Sequence, residues 1–335
     1  MWDTLLVATV IVVSPLLTYV VTSWVIEWLR AKGFTGRDVH KPWHPSVAEP
    51  GGIALIISYL VLSAILLLVP TPLNPVKVLA VTISSLFAGL VGLVDDFKVL
   101  KARTKTVLAF TAATPIILLH AYDPRPIMPF AGPLRLTIIY PLLLPFAYAI
   151  VLNAVNMADT HNGVVPGTGL LIGGVLLFST ISTYLRGYSD VTGVVLSLLF
   201  IGILAGYVWF NWFPARVFNG DSGSFLIGAL IAGIAVVGRV EVPVIIALMV
   251  YIVNGFQILL SIRGLVERRQ ITVRPVRVEN GWIKANPDKR APITLPHLLS
   301  LKEPLNEKEI VLGYMLLAGF SSLLGIVTAI ICYWL

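Results

Sequence analysis

Apolar stretches of roughly membrane-spanning length recur along this chain of 335 residues and alternate with shorter polar segments. A helix needs about 20 mostly apolar residues to cross a bilayer. We interpret ten stretches in this way: residues 3–29, 51–70, 77–94, 106–120, 135–152, 164–184, 191–210, 222–240, 243–262 and 309–333. The fourth is short and is interrupted by Pro115. The pattern predicts an all-α polytopic membrane protein with about ten transmembrane helices, in a single integral membrane domain over residues 1–335.

The composition places the chain in the same class. Hydrophobic residues make up 57% of the chain and charged residues 12%, whereas soluble domains average roughly 45–50% and 25%. The first stretch has no basic region before it and no small-residue cleavage site, so we expect a retained span and not a signal peptide. The single cysteine, Cys332, excludes an intrachain disulfide and a cysteine-based metal cluster.

The 24 lysines and arginines are distributed unevenly between the two sides that ten spans define. Nineteen lie in the loops after spans 1, 3, 5, 7 and 9. Because cytoplasmic loops are enriched in Lys and Arg, these loops are predicted to be cytoplasmic, with both termini outside. The net charge of +7 therefore reflects membrane topology and does not indicate nucleic-acid binding. The five basic residues on the other side are Lys77, Arg125, Arg135, Arg186 and Arg239.

Acidic and amide side chains gather in the loops that are predicted to be cytoplasmic. Carboxylates are costly inside a bilayer but are tolerated where a span meets water. The oxygen-bearing side chains in the second, third and fourth of these loops are Asp95, Asp96, Asn156, Asp159 and Asp221. A set of oxygen ligands without Cys or paired His suits Mg²⁺, with Mn²⁺ as the alternative. We therefore predict one metal-binding site that several loops assemble.

Each of these segments also has a purely structural interpretation. Asn153 and Asn156 are of a type that caps helix ends well. The Gly220-Asp221 step is typical of a turn into a helix, where the helix dipole favours an acid. The Asp95-Asp96 pair alone is equally typical of a solvated helix end. Their occurrence on one side of the membrane favours the shared site.

The last predicted cytoplasmic loop, residues 263–308, is long enough to fold. Residues 271–285 alternate apolar and polar positions around Asn280-Gly281, which predicts a β-hairpin with a tight turn. This hairpin is interpreted either as a lid or as a basic strap on anionic lipid headgroups. His297 lies further along, and both a structural role and a substrate contact stay open for it.

At these motifs the chain resembles the polyprenyl-phosphate N-acetylhexosamine-1-phosphate transferase superfamily, of the glycosyltransferase family 4 type. The motifs are the Asp pair after Gly-Leu-Val, the Asn-x-x-Asn-x-x-Asp segment from Asn153 to Asp159, and Gly-Asp-x-Gly-Ser from Gly220 to Ser224. The resemblance covers the whole chain in length, span layout and motif order. Loop 1, with Asp38-Val-His-Lys41 and Pro50-Gly-Gly52, is similar to the dolichol-type branch of archaea and eukaryotes.

The resemblance implies roles for single residues. Asp95 and Asp96 match the catalytic acidic pair of the family, while Asp221 and Asn156 match the residues that hold Mg²⁺. Candidate substrate-binding residues are Lys105, Lys41, Asp159, Asn162, Asn153 and His297.

The resemblance also implies the reaction. It is the transfer of N-acetylhexosamine 1-phosphate, chiefly GlcNAc-1-phosphate, from a UDP-sugar to a dolichyl-type polyprenyl phosphate at the cytoplasmic face of the cell membrane, with release of UMP. The alternative is an undecaprenyl-phosphate transferase for surface polysaccharide. A MurNAc-pentapeptide donor is disfavoured because Ala291 to His297 retains one histidine where bacterial members have a His-rich motif. Because family members are often dimers, a homodimer is implied as well.

Two other classes of protein are alternatives to the enzyme. A transporter with a cation site would carry ionisable groups near the bilayer midplane on broken helices. In this chain the acids lie at the ends of spans instead, which favours the enzyme. A non-catalytic lipid-binding relative would fit the altered residues of the last loop.

Overall fold

The structure is a computed structural model of the chain, and it describes residues 2–264 and 271–335. Residues 265–270, which belong to the predicted loop 263–308, lie outside the described residues. The helices are α1 (Trp2–Ala31), α2 (Gly52–Leu68), α3 (Pro75–Lys98), α4 (Ala102–Thr111), α5 (Thr114–Leu118), α6 (Ile139–Ala158), α7 (Val164–Leu185), α8 (Thr192–Asn211), α9 (Gly220–Gly238), α10 (Glu241–Ala247), α11 (Met249–Ser261), α12 (Leu295–Leu299) and α13 (Glu307–Tyr333). The strands are β1 (Thr35–Arg37), β2 (Ser46–Ala48), β3 (Ile127–Met128), β4 (Gly132–Pro133), β5 (Val276–Glu279), β6 (Trp282–Ala285) and β7 (Leu305–Asn306).

Several helices have the length and composition of membrane spans. Among the described residues these are α1, α3, α6, α7, α8, α9 and α13. The pair α10 and α11, bent by 62° at its junction, adds an eighth span if it is counted as one. The apolar helix α2 has 17 residues, at the lower end of the spanning range. The prediction of a mostly helical, multi-pass membrane protein is confirmed, while the number ten and the outside location of both termini stay predictions.

The fourth predicted span is not one continuous helix. Residues 106–120 are divided between α4 and α5, with Ala112 and Ala113 between them. Pro115 lies in the first turn of α5, where its missing N–H group is not needed. A proline in a continuous helix would remove a hydrogen bond and its ring would clash with the preceding turn. The chain therefore starts a new helix at this point.

Helix α9 forms the centre of the fold. Its residues from 222 to 238 are buried, as expected for a helix that is apolar on all sides. The end of α3 approaches the start of α9 so closely that a Cβ added to Gly92 would lie 2.3 Å from the carbonyl oxygen of Asp221. A Cβ on Gly52, at the start of α2, would lie 2.2 Å from the backbone nitrogen of Gly223. These two glycines let three helix ends converge.

The predicted hairpin of the last loop is present as β5 and β6, which pair antiparallel. Asn280 and Gly281 connect them with φ angles of 51° and 83°, the positive values that a two-residue type I′ turn requires. The first strand begins at Val276, so residues 271–275 precede the hairpin. A third strand, β7, pairs with Trp282 and Ile283 of β6 and leads directly into α13. The hairpin is thus tied to the start of the last span.

Candidate active site

The site begins where the end of α3 meets the start of α9. The carboxylate of Asp96 accepts the backbone N–H of Asp221 at 2.7 Å through Oδ1 and that of Ser222 at 3.0 Å through Oδ2. The first N–H groups of a helix have no partner within the helix, so Asp96 satisfies two of them from another helix. Gly220 has φ of +67°, and a Cβ there would lie 2.8 Å from both Asp96 oxygens. Glycine is therefore required at this junction.

Asp95 makes contacts that differ from those of its neighbour. Its side chain is buried, with Oδ2 2.8 Å from Nζ of Lys105. Its Oδ1 accepts the backbone N–H of Leu100, which holds the turn between α3 and α4. The two adjacent carboxylates therefore have different partners. Asp95 binds a cationic side chain, and Asp96 binds the first backbone N–H groups of a helix.

Lys105 lies among oxygen atoms from three other helices. Its Nζ is 2.5 Å from Oδ2 of Asp221 and 3.2 Å from Oδ1 of Asn156, in addition to its contact with Asp95. Burial lowers the pKa of Lys105, but the carboxylates of Asp221 and Asp95 more than offset this and raise it above its usual value. We call Asp95, Asp96, Lys105, Asn156 and Asp221 the acidic cluster.

Asn156 connects α6 to the start of α9. Its Nδ2 donates to Oδ1 of Asp221 at 2.6 Å and to Oγ of Ser224 at 2.8 Å. Ser224 was not among the predicted site residues, although it belongs to the Gly-Asp-x-Gly-Ser motif. With Asp221 at its first turn, α9 thus presents both a carboxylate and a hydroxyl to one asparagine.

The acidic cluster fits a hard divalent cation in its donor set. Side-chain oxygens of Asp95, Asn156 and Asp221 lie within 3.2 Å of a single ammonium nitrogen. These oxygens therefore already surround a positive charge, and carboxylate and amide oxygens are the ligands that Mg²⁺ and Mn²⁺ prefer.

Asp159 lies next to the cluster, just after the end of α6. Its Oδ1 accepts Nδ2 of Asn219 at 2.9 Å, which links it to the residue before Gly220. Burial raises the pKa of Asp159 to about 8; the amide of Asn219 opposes this, and the charges of Asp221 and Asp96 add to it. Asp159 is thus brought to the same helix junction as the cluster, as the sequence motif suggested.

Lys41 belongs to a second group of buried polar residues. Its side chain is 2% exposed, and Nζ contacts a carboxylate oxygen of Asp38 and Oε2 of Glu307, the latter at 3.1 Å. Asn162 completes the group, since its Nδ2 donates to Oδ2 of Asp38 at 2.9 Å and its backbone N–H to Oε1 of Glu307 at 3.1 Å. We call Asp38, Lys41, Asn162 and Glu307 the Lys41 network.

The Lys41 network ties together distant parts of the chain. It joins loop 1, the segment after α6 and the first residue of α13. Burial raises the pKa of Asp38, but Lys41 and Asn162 outweigh this and hold it below its usual value. Oxygen and nitrogen atoms of Asp38, His40 and Glu307 lie within 4.8 Å of one another, a spacing that could suit a metal. The ammonium of Lys41 already bridges the two carboxylates, so the network has its own cation.

A stacked pair of histidines borders this network. The rings of His40 and His161 are 4.4 Å apart and nearly parallel. Burial lowers the pKa of His161 well below its usual value, and the neighbouring His40 and Lys41 act in the same direction. His161 is therefore neutral at physiological pH and packs as an uncharged ring.

Two predicted substrate-binding residues contact backbone carbonyl groups instead. Nδ2 of Asn153 donates to the carbonyl oxygen of Ala149 in its own helix at 2.8 Å. Nδ1 of His297 lies 2.8 Å from the carbonyl oxygen of Pro275, which fixes α12 against the segment before the hairpin. Neither contact leads to the acidic cluster, so their substrate-binding roles stay predictions. The same holds for Lys41 and Asn162, which the structure places in the Lys41 network.

Comparison with known proteins identifies related sequences. The model of a family described as glycosyl transferase family 4 matches residues 78–239, a range that contains the entire acidic cluster. A Saccharolobus solfataricus protein named as a UDP-N-acetylglucosamine–dolichyl-phosphate N-acetylglucosaminephosphotransferase is 32% identical over 250 residues, 73% of this chain and 75% of the relative. A Sulfolobus acidocaldarius protein of the same name is 30% identical over 248 residues, with the same coverage.

A bacterial relative matches a smaller part of the chain. The phospho-N-acetylmuramoyl-pentapeptide-transferase of Kosmotoga olearia is 31% identical over 194 residues, which is 54% of this chain and 59% of the relative. Its name describes a different transferase from that of the two archaeal relatives.

Proposed function

The chain belongs to glycosyl transferase family 4, and from that premise we propose that it transfers N-acetylglucosamine 1-phosphate from UDP-N-acetylglucosamine to a dolichyl-type polyprenyl phosphate, releasing UMP. The names of the two archaeal relatives support this donor and acceptor. An undecaprenyl-phosphate acceptor, for surface polysaccharide, is the second candidate, and it has less support because the bacterial relative is named for a different transfer reaction.

One observation carries the proposal. Asp95, Lys105, Asn156 and Asp221 come from four different helices, yet their polar atoms converge on the Lys105 ammonium within 3.2 Å. An ion pair that only stabilises the fold needs one acid and one base. This arrangement instead brings two carboxylates, an amide and a lysine together at helix ends. Such a group can bind phosphate through Lys105 and a cation through the oxygens, which a reaction between two anionic phosphates requires.

Within this site we assign the metal-binding role to Asp221 and Asn156. Their side chains are already joined at 2.6 Å, and Asp221 lies at the start of α9. When bound, Mg²⁺ would offset the charge of the diphosphate and stabilise the departing UMP. The oxygen donor set supports Mg²⁺ or Mn²⁺ and gives no preference for a softer metal.

The remaining residues bind and orient the reactants. An oxygen of the lipid phosphate attacks the β-phosphorus of the UDP-sugar, and the bond from that phosphorus to the bridging oxygen breaks, so UMP leaves with that oxygen. A phosphate monoester has a second pKa near 6, so the nucleophile is largely dianionic at neutral pH and needs no strong base. Lys105 would draw the lipid phosphate to the site. Asp95 would orient Lys105, and Asp96 would hold the start of α9 in place.

The distribution of charge supports a cytoplasmic location for this site. Nineteen of the 24 lysines and arginines belong to the loops that the predicted ten-span pattern assigns to the side of the acidic cluster, where the positive-inside rule expects the cytoplasm. A UDP-sugar is available on that side, and a polyprenyl phosphate presents its headgroup at the same surface. We also propose a homodimer as the assembled form, by analogy with the family.

Substitution of Asp221 tests the proposal. Asp221→Ala should lower Mg²⁺-dependent UMP release from UDP-N-acetylglucosamine and a dolichyl-type phosphate by at least about 100-fold. Asp288→Ala is the matched control, since that carboxylate pairs with Arg290 outside the cluster. Full activity of Asp221→Ala would overturn the metal assignment. Solute uptake by proteoliposomes without UMP release would favour a transporter, and binding of polyprenyl phosphate without turnover would favour a non-catalytic relative.

A further inference from the structure

Basic residues also gather at the opposite ends of the helices that form the acidic cluster. Lys77 lies at the start of α3 and Arg239 directly after the end of α9, each 18 positions from a carboxylate of the cluster on the same helix. At 1.5 Å per residue this is about 27 Å, close to the thickness of the hydrocarbon core. The two groups of residues therefore lie on opposite faces of the membrane domain.

These basic residues line one cavity of about 660 Å³. Of the five lysines and arginines that the sequence assigns to this face, four line it: Lys77, Arg125, Arg135 and Arg239. The fifth, Arg186, instead stacks on Trp334 with its guanidinium 5.6 Å from the ring centre. The few charges on this face are thus concentrated at one place.

The cavity keeps an excess of positive charge after its ion pairs are counted. Asp123 also lines it and binds Arg125 through two hydrogen bonds, of 2.9 and 2.8 Å, and Arg239 at 3.2 Å. Asp190 binds Lys77 at 2.7 Å. Glu241, which accepts the hydroxyl of Tyr140, also interacts with Arg239 and Asp123. Three carboxylates therefore accompany four cationic side chains, which leaves one positive charge in excess. Arg135 has a hydrogen bond to the hydroxyl of Thr137 and no carboxylate partner within the described residues.

Arg239 is the buried element of this cavity. It is 7% exposed, and its two terminal nitrogens donate to the carbonyl oxygens of Tyr188 at 2.9 Å and Arg125 at 2.7 Å. Its Nε has no hydrogen-bond partner in the part of the chain that the structure describes. An unpaired donor on a buried charged group costs free energy, so this guanidinium lacks one of the hydrogen bonds that it can make.

We propose that this cavity binds a phosphate-bearing anion, supplied either by the headgroup of a membrane lipid or by free phosphate. Guanidinium groups present paired N–H donors that match phosphate oxygens, and three of the four cations here are arginines. Two apolar residues in the same stretch of chain as the cavity-lining arginines are strongly exposed: Phe130 is 86% exposed and Ile138 is 78% exposed. A lipid headgroup could thus enter the cavity while its chains stay in the bilayer. The binding is independent of the transfer reaction.

The proposal is tested by measuring how the purified full-length protein and its surface variants bind phosphate and phosphatidylglycerol. Inorganic phosphate is titrated calorimetrically in detergent at low salt. Retention of phosphatidylglycerol is compared with that of diacylglycerol, which lacks the phosphate, by native mass spectrometry. The test variant is Arg125→Gln/Arg135→Gln, because both side chains are exposed and their loss leaves Arg239 paired with Asp123. Arg186→Gln is the matched control on the same face.

The expected result is binding that weakens at least about tenfold in the double variant and is unchanged in Arg186→Gln. If inorganic phosphate behaves in this way, free phosphate is the ligand. If only phosphatidylglycerol does, the ligand is a lipid headgroup. Absence of both kinds of binding in the wild-type protein, equal binding in the double variant, or equal loss in Arg186→Gln would each overturn the proposal.

Discussion

Asp96 accepts the backbone N–H of Asp221 at 2.7 Å, so one member of the acidic pair holds the start of the helix that carries the proposed metal ligand. Its other oxygen accepts the N–H of Ser222 at 3.0 Å. Both oxygens of Asp96 are therefore engaged with backbone groups. This arrangement favours a positioning role for Asp96 over proton abstraction, and it separates Asp96 from Asp95, whose carboxylate binds Lys105.

The role of Asp96 can be tested with Asp96→Asn. Asparagine offers one carbonyl oxygen, so one N–H at the start of α9 would lose its acceptor, at a cost of about 1–3 kcal/mol. Because a small displacement of Asp221 follows, we expect turnover to fall by about 100-fold while the affinity for UDP-sugar changes much less. Steady-state kinetics and nucleotide titration measure the two effects. A variant that loses affinity but keeps turnover would contradict this role, and Asp288→Asn serves as the control.

Lys105→Gln tests the proposed recruitment of the lipid phosphate. The substitution leaves the carboxylates of Asp95 and Asp221 without their cation, and an anionic lipid phosphate would meet uncompensated negative charge. We expect turnover to fall by about 10²–10³-fold, measured as UMP release over a range of polyprenyl phosphate concentrations. Lys101→Gln removes an exposed base from the same connection. An equal loss in both variants would assign the effect to general surface charge.

Gly92→Ala tests the close approach of α3 to α9. The new Cβ would lie 2.3 Å from the carbonyl oxygen of Asp221, so the two helices must move apart. Overpacking of this kind costs about 1–3 kcal/mol, and the movement should also reduce UMP release. The matched control is Gly174→Ala in α7, where an added Cβ meets no atom within 4 Å among the described residues. It should be neutral or should stabilise by up to about 1 kcal/mol. Thermal unfolding in detergent compares the two variants, and equal unfolding temperatures would contradict the packing argument.

Lys41→Ala separates a structural role of Lys41 from substrate binding. Removal of the ammonium leaves the buried carboxylates of Asp38 and Glu307 facing each other, which should destabilise the protein by about 3–5 kcal/mol. Lys308→Ala, at the next position after Glu307, removes an exposed lysine and should leave stability nearly unchanged. The readouts are the unfolding temperature and the affinity for UDP-sugar. Loss of affinity at unchanged stability would show that Lys41 contacts the substrate directly.

Much of the site could be predicted from sequence because its members are local features of the chain. Asp95, Asp96 and Asn156 lie in the last turns of apolar helices, and Asp221 lies in the first turn of another. The hydrophobic pattern of the chain indicates where such helices end. The Asn280-Gly281 turn was predictable for a similar reason, since both residues adopt positive φ at low cost.

The partners of these residues could not be predicted in the same way. Glu307 binds Lys41 across 266 positions, and Ser224 and Asn219 join the site through contacts that no sequence spacing specifies. Lys41 and Asn162 belong to motifs that resemble those of the family. Their side chains nevertheless lie in the Lys41 network and not in the acidic cluster. The fourth apolar stretch had the composition of a span but is divided into two helices beside Pro115.

The sequence by itself determined that this is a multi-pass membrane protein of glycosyl transferase family 4, with acids at the ends of its helices. Hydrophobicity and helix-end preferences are properties of neighbouring residues, so the chain records them directly. Only the tertiary structure decided how the adjacent acids differ, with Asp95 facing a lysine and Asp96 facing the start of α9. That difference depends on which helix ends meet, and their meeting depends on glycines that allow backbones to approach closely. The same packing brought four basic residues to one cavity on the opposite face.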